Sequence, residues 1–266
     1  MKILLRISLL LVFLQIFSSA QAQILHTESF TVILDSTRRM KGSIVPDFNY
    51  KNLRKDLFSF ENTADLSAKI GKNALTVANK VELSKFGDET LVSGGYIYAE
   101  YRNVMEKKQS IELYSQVHWA EARGMERKYA FGVNSRWRIV NRPTLGFFVG
   151  IGPFYEFERW NFDGVANAEA IVDTTPIETE NIKLGSYASL KYAPFDKIFL
   201  DISIYYQSRF DELVSTPRFA SSSRFTYQFS KIVGLSLIYQ NIYDPTPTVP
   251  IDKLYNNIIS GFTITF

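Results

Sequence analysis

The sequence predicts an all-β chain, a transmembrane antiparallel up-and-down β-barrel of about twelve strands with short periplasmic turns and longer extracellular loops. Three observations carry the prediction. The dominant hydrophobic period is two, as in a strand whose successive side chains point to opposite faces. The alternating segments outrun the roughly five or six residues usual in globular sheets and approach the roughly 9–11 that a tilted membrane strand needs. Every second connection tends to be tight while the others run longer, an asymmetry of outer-membrane barrels that a soluble sandwich has no reason to show.

The first 22 residues read as a secretory signal outside the fold. Lys2 and Arg6 form a short basic region, Ile7 to Phe17 an apolar run too short to span a bilayer as a helix, and Ala20-Gln21-Ala22 an A-x-A cleavage site. No Cys sits there to carry a lipid anchor. Cleavage after Ala22 removes 22 of 266 residues and two of the 30 basic ones, leaving 28 against 27 acidic residues. That balance is no nucleic-acid footprint. An exported chain without Cys is held together without disulfides, and its only imidazoles are His26 and His118, so no metal or cofactor is expected. Residues 23–39 form an N-terminal periplasmic segment and 40–266 the barrel.

Twelve strands are expected at about 40–50, 57–70, 74–85, 90–102, 110–120, 128–140, 144–158, 182–193, 197–209, 218–230, 232–243 and 256–266. In 57–70, Phe58, Phe60, Ala64, Leu66 and Ile70 oppose Glu61, Thr63, Asp65 and Lys69. In 128–140, Tyr129, Phe131, Val133 and Trp137 oppose Asn134, Arg136 and Arg138. The tight connections are "GKN", "NRP", "PFD" and "KI"; the long ones include "RWNFDGVANAEAIVDTTPIETEN" and "DPTPTVPIDKLY".

Aromatic residues make up 15% of the chain, spread evenly along it, and a set of them falls near the two ends of the strands. Two membrane girdles are expected, with Trp119, Tyr129, Trp160 and Tyr206 toward the long loops and Trp137, Phe147, Tyr192 and Phe266 toward the short turns. In hydrocarbon an unpaired backbone group is costly, so the last strand must close onto the first. Pro46 lies inside that first strand and cannot donate a ladder bond, which predicts a bulge or a locally open seam. The final "NNIISGFTITF" carries Phe262, Ile264 and Phe266 on its lipid parity, the pattern of an outer-membrane insertion signal read by the barrel-assembly machinery.

The inward parity is rich in both charges. It holds Asp65, Lys80, Glu100, Arg102, Glu112, His118, Lys128, Arg136, Arg138, Glu156, Lys191, Asp201, Arg209 and Arg224. Turn registers place Asp65 opposite Lys80, Lys128 opposite Glu156 and Lys191 near Asp201. Twelve strands lie between filled eight-strand barrels and open sixteen-strand channels, so the lumen is either a packed polar interior or a narrow pore selecting by charge. In the long loop, Asp163, Glu169, Asp173, Glu178 and Glu180 make an acidic surface, read as a solvated loop with a Ca²⁺ or divalent-bridged lipopolysaccharide site as the alternative. His118 has Gln116 and Ala120 as neighbours on its face and no Ser, which speaks against a lipid hydrolase.

Several stretches resemble a group of uncharacterised outer-membrane barrels related to the salt-induced outer-membrane protein YdiY. They are "ILHTESFTVILDSTRRMKGSI", "IELYSQVHWAEARGMERKYAFGVNSRWRIV", "GFFVGIGPFYEFE" and the closing strand. The Gly-rich segment of that group reads Gly132-Val133-Asn134-Ser135-Arg136 here, with Asn134 at its second Gly. The resemblance implies the barrel, the outer membrane and a setting of salt stress, and no reaction. The expected function is a narrow channel for small solutes or ions in contact with outer-membrane lipid and lipopolysaccharide. The alternative is a closed barrel that meets envelope partners through its loops, and a lipid hydrolase is the third reading.

Overall fold

The computed structural model describes residues 39–52, 55–105, 108–166 and 168–265. The signal segment, His26 and Phe266 lie outside the described residues. The strands are β1 (Met40–Lys51), β2 (Leu57–Ile70), β3 (Asn73–Phe86), β4 (Glu89–Val104), β5 (Gln109–Ala120), β6 (Met125–Arg142), β7 (Leu145–Trp160), β8 (Ile177–Phe195), β9 (Ile198–Arg209), β10 (Arg218–Gln228), β11 (Val233–Tyr243) and β12 (Leu254–Thr265). Each pairs antiparallel with its sequence neighbours, and β12 pairs with β1, so the sheet is a closed barrel. Most ends match the alternation within a few residues. β8 begins earlier than expected because Thr179 and Asn181 still pair with Glu158 and Glu156 of β7.

One rim, the turn end, carries two-residue links at Gly71-Lys72, Pro143-Thr144 and Asp196-Lys197. The opposite rim, the loop end, carries the long connections 161–176 and 244–253. The β3–β4 link also lies at the loop end yet spans only Gly87-Asp88, with Gly87 at φ 62°. The apolar parity faces outward. Phe131, Ile182, Ile258 and Phe262 expose 62, 63, 69 and 63% of their surface, an arrangement that water penalises and hydrocarbon does not. The barrel therefore reads as a membrane-spanning one.

The wall shared by β6, β7 and β8 is built from glycine on its inner face. Gly132 stands opposite Phe154, Gly150 opposite Tyr187, and Gly152 opposite Gly185. A Cβ at Gly150 would lie 2.3 Å from the Tyr187 ring, and one at Gly132 would lie 2.5 Å from the Tyr114 ring. Missing side chains on the wall thus make room for rings in the lumen. Gly150→Val is expected to lose about 1–3 kcal/mol by overpacking. A lowered urea midpoint in detergent checks this; an unchanged midpoint would show that the Tyr187 ring has somewhere else to go.

The closing seam is short. Among the described residues the β1–β12 ladder joins Ser43 to Thr265 and Ile44 to Ile264. Pro46 makes no bulge against β2, where it sits opposite Asn62 in unbroken register. The expectation of a locally open seam is met on the β12 side instead, because the ladder stops just before the residue that has no N–H to offer.

Candidate functional site: the lumen

Every inward charge named from the sequence lies on the inner face, and most are buried. The turn chemistry decides which of them meet. The β2–β3 hairpin closes with Ile70 opposite Asn73, so Asp65 faces Ala78 and not Lys80. The expected Asp65–Lys80 pair is thus off by two residues, and both find other partners. Lys80 reaches Glu61 at 3.0 Å and Glu82 at 2.7 Å. Asp65 accepts from the Ser43 hydroxyl at 2.6 Å and lies 3.8 Å from Arg224, four strands away around the ring. Lys191 does stand opposite Asp201, at 3.7 Å. Lys128 stands opposite Glu158, two residues from the expected Glu156, yet its ammonium contacts both carboxylates, at 2.6 Å to Glu156 and 2.9 Å to Glu158.

Toward the loop end these groups form one buried layer. Glu156 is held by Lys128, Lys183 and Arg218. Arg218 also donates to Glu158 at 2.8 Å and contacts Asp244 at 2.5 Å, and so crosses the lumen from β10 to β7. Arg218 and Asp244 were not anticipated. Both border loops, beside Pro217 and Pro245, where strand alternation gives no signal, although Arg218 shares its parity with Arg224.

Trp160 corrects a sequence expectation. It is no girdle residue: it is 3% exposed and its indole N–H donates to Glu158 at 3.1 Å inside the barrel. β7 alternates without interruption, which puts Trp160 on the parity of Glu156 and Glu158. Of the other girdle candidates, Tyr129 and Tyr192 are exposed on the outer face, Trp119, Trp137 and Phe147 are half-buried there, and Tyr206 packs edge-on against Phe219.

A middle layer of rings follows, with Tyr96, Tyr98, Tyr187 and Tyr205 buried. His118 packs edge-on against Tyr96. Tyr114, Gln116, Asn134, Phe154, Tyr187 and Tyr205 line a cavity of about 30 Å³, room for a water molecule or two. Below it, Tyr187 donates to Glu112 at 2.7 Å across three strands. Arg102 bridges Glu100 at 2.7 Å and Glu112 at 2.9 Å, and Arg136 lies 3.5 Å from Glu112. Hydroxyl pairs Ser67–Thr76 and Thr226–Ser236 line the wall toward the turn end. Arg209 stands apart at the loop end, paired with Asp211 in the open.

The loop end is covered. Phe162, Val165, Ala168 and Ile171 of the β7–β8 connection, with Val249 and Ile251 of the β11–β12 connection, pack on Ala120, Met125 and Trp160. These connections arise about a third of the ring apart and meet over the mouth. Close backbone approach seats the first of them: a Cβ at Gly164 would lie 2.2 Å from the Arg123 backbone, and the Asn161 amide donates to Gly124 at 2.7 Å. Beneath the cover Arg123 reaches across to the Tyr255 ring at 5.2 Å. Burial pushes the Arg123 guanidinium down to about 10. The acidic residues of this loop stay outside, as expected; its apolar residues form a lid that the sequence reading missed. Their signal was a spacing of three, at 162, 165, 168 and 171.

The fold and lumen define the class, a closed twelve-stranded β-barrel with an apolar outer face and a charged interior. No family model and no curated protein matches the chain. Solved structures similar to it include the NanC porin, at 9% identity over 85% of this chain and 97% of that one, with a TM-score of 0.46. The KdgM porin in complex with disordered oligogalacturonate is 9% identical over 85% and 99%, with a TM-score of 0.45. LpxR from Salmonella typhimurium is 8% identical over 85% and 99%, with a TM-score of 0.40. The likeness is one of barrel architecture.

Proposed function

We propose that the chain is an outer-membrane β-barrel acting as a narrow channel for small solutes or ions, shut in the conformation described by the loop lid and the paired charges beneath it. One observation carries the reading. The lumen is filled by charged side chains that hold one another across the ring, where a barrel with no path to open would be filled more cheaply by apolar ones. Displacing the lid gives those charges water and separates them. Planar-bilayer conductance tests this. Rare openings of the wild type that become frequent when the lid is loosened support it, and silence of both makes the barrel a closed one.

That closed barrel, meeting envelope partners through its loops, is the second reading, favoured by the water-sized cavity at mid-lumen. A setting of salt stress and kinship with the YdiY-related group belong to the proposal too, as does assembly through the terminal strand. We infer no hydrolytic role. His118 is buried in the lumen among Tyr96 and lumenal charges, away from the lipid face.

The orientation puts the turn end in the periplasm and the long loops outside. Val172→Cys, on a fully exposed loop position, is expected to react with an impermeant thiol label on whole cells, and Arg142→Cys at the turn end is not. The reverse labelling inverts the topology.

A further inference from the structure

Among the described residues, the turn-end mouth of the lumen gathers four cations around two carboxylates. Arg102, Lys108, Arg136 and Arg138 line one recess with Ser110 and Phe148, a cavity of about 20 Å³. Among the described residues, the carboxylates shown in contact with this group are Glu100 and Glu112, and both are engaged by Arg102. Arg136 shares Glu112 and lies over Phe148, with its guanidinium carbon 4.1 Å from the ring centre. Arg138, one pleat nearer the mouth, lies 5.9 Å from the same ring. Neither Arg138 nor Lys108 makes an ion pair among the described residues. Backbone pairing fixes them together, because the Arg138 amide donates to the Lys108 carbonyl at 2.8 Å.

We propose that this recess is a binding site for a small oxyanion, the phosphate, sulfate or carboxylate head of a solute entering from the turn end. The chemistry follows from the donors. A guanidinium offers parallel N–H groups that match two oxygens of such a head, and the ammonium of Lys108 adds a point charge from the rim. The Phe148 ring lies beside both guanidiniums and packs closely on that of Arg136, which reduces the ordering left to be done on binding. The buried Ser110 hydroxyl lines the recess as a further donor. The loop-end layer makes no equivalent offer, because its Lys128, Lys183 and Arg218 are already matched by Glu156, Glu158 and Asp244. The site gives the proposed channel a preference for anions, but it does not depend on conduction: a silent barrel can still bind.

The test uses the full-length barrel purified in a zwitterionic detergent, with inorganic phosphate as the probe at constant ionic strength. Phosphate is expected to raise the unfolding temperature in a saturable way. Arg138→Gln is expected to weaken the apparent affinity about tenfold or more, and Arg209→Gln, at the far end, to leave it unchanged. Among the described residues Arg138 has no partner carboxylate to strand, so its replacement is expected to leave the fold in place. A short-chain phosphatidic acid forms a second arm. Stabilisation by that lipid alone, with none by free phosphate, overturns a solute site in favour of a headgroup site. No stabilisation by either probe, or equal stabilisation of wild type and Arg138→Gln, overturns the site itself. Binding without conductance leaves the site standing and removes the channel.

Discussion

Glu156→Ala is expected to cost the barrel about 3–5 kcal/mol, the largest single-residue loss anticipated. Glu156 is 1% exposed and touches three cations: Lys128 at 2.6 Å, Arg218 at 3.0 Å and Lys183. Removing the carboxylate leaves those cations to Glu158 and Asp244, in a place where water cannot replace what was lost. Glu156→Gln keeps the shape and the acceptor and is expected to lose less. The partner variant decides the cause. Deleting Lys183 as well removes one stranded cation, so the double variant is expected to recover part of the stability, a coupling that simple cavity formation would not give. Urea unfolding in lipid or detergent reads all of these. Disruption of the exposed Arg209–Asp211 pair is the control and is expected to change little. Loss in Glu156→Ala equal to that in the control would mean that water reaches the layer and the lumen is not sealed there.

The parts of this architecture legible in the sequence are those governed by the two-residue period. Lys191–Asp201 was readable from parity on β8 and β9, and an irregularity between Tyr192 and Phe195 near the turn leaves that pair in register. The Asp65–Lys80 pair failed by a single detail of local geometry: Gly71 at φ 63° lets the chain reverse in two residues, which moves every partner on β3 by two. Inner and outer faces survive such a slip, but named pairs do not. Trp160 was misplaced by residue type; interfacial habit suggested a girdle, whereas its parity put it beside Glu158. Contacts across the lumen, such as Arg218 to Glu158 or Tyr187 to Glu112, join strands three apart and follow from closure and tilt, which no local pattern encodes. The glycines were legible individually. Their role appears only when register sets Gly132 against Phe154 and Gly150 against Tyr187.

Loosening the lid is expected to turn a nearly silent barrel into one with frequent discrete openings. Val165 and Val249 sit at the centre of the cover, 9% and 1% exposed, on Met125 and Trp160. Each such side chain contributes about 1.5–3 kcal/mol on full burial. Ordering loop residues costs about 1–2 kcal/mol apiece, so the closed and open covers are separated by a small difference between opposed terms. Val165→Asp with Val249→Asp places two carboxylates in an apolar cluster beside Glu158, and the cheapest relief is for both connections to swing into water. The strands lose no ladder bond, so the unfolding midpoint is expected to fall far less than in Glu156→Ala. Conductance of the open cover then reports on the layer below. Arg218 still crosses the lumen there, so openings are expected to be small and to grow when Arg218→Gln is added, because the β10–β7 bridge is gone. Larger openings in the triple variant than in the double variant place the constriction at that bridge. If both stay as silent as the wild type while the barrel remains folded, neither cover nor bridge is a gate, and the charges in the lumen serve only to fill it.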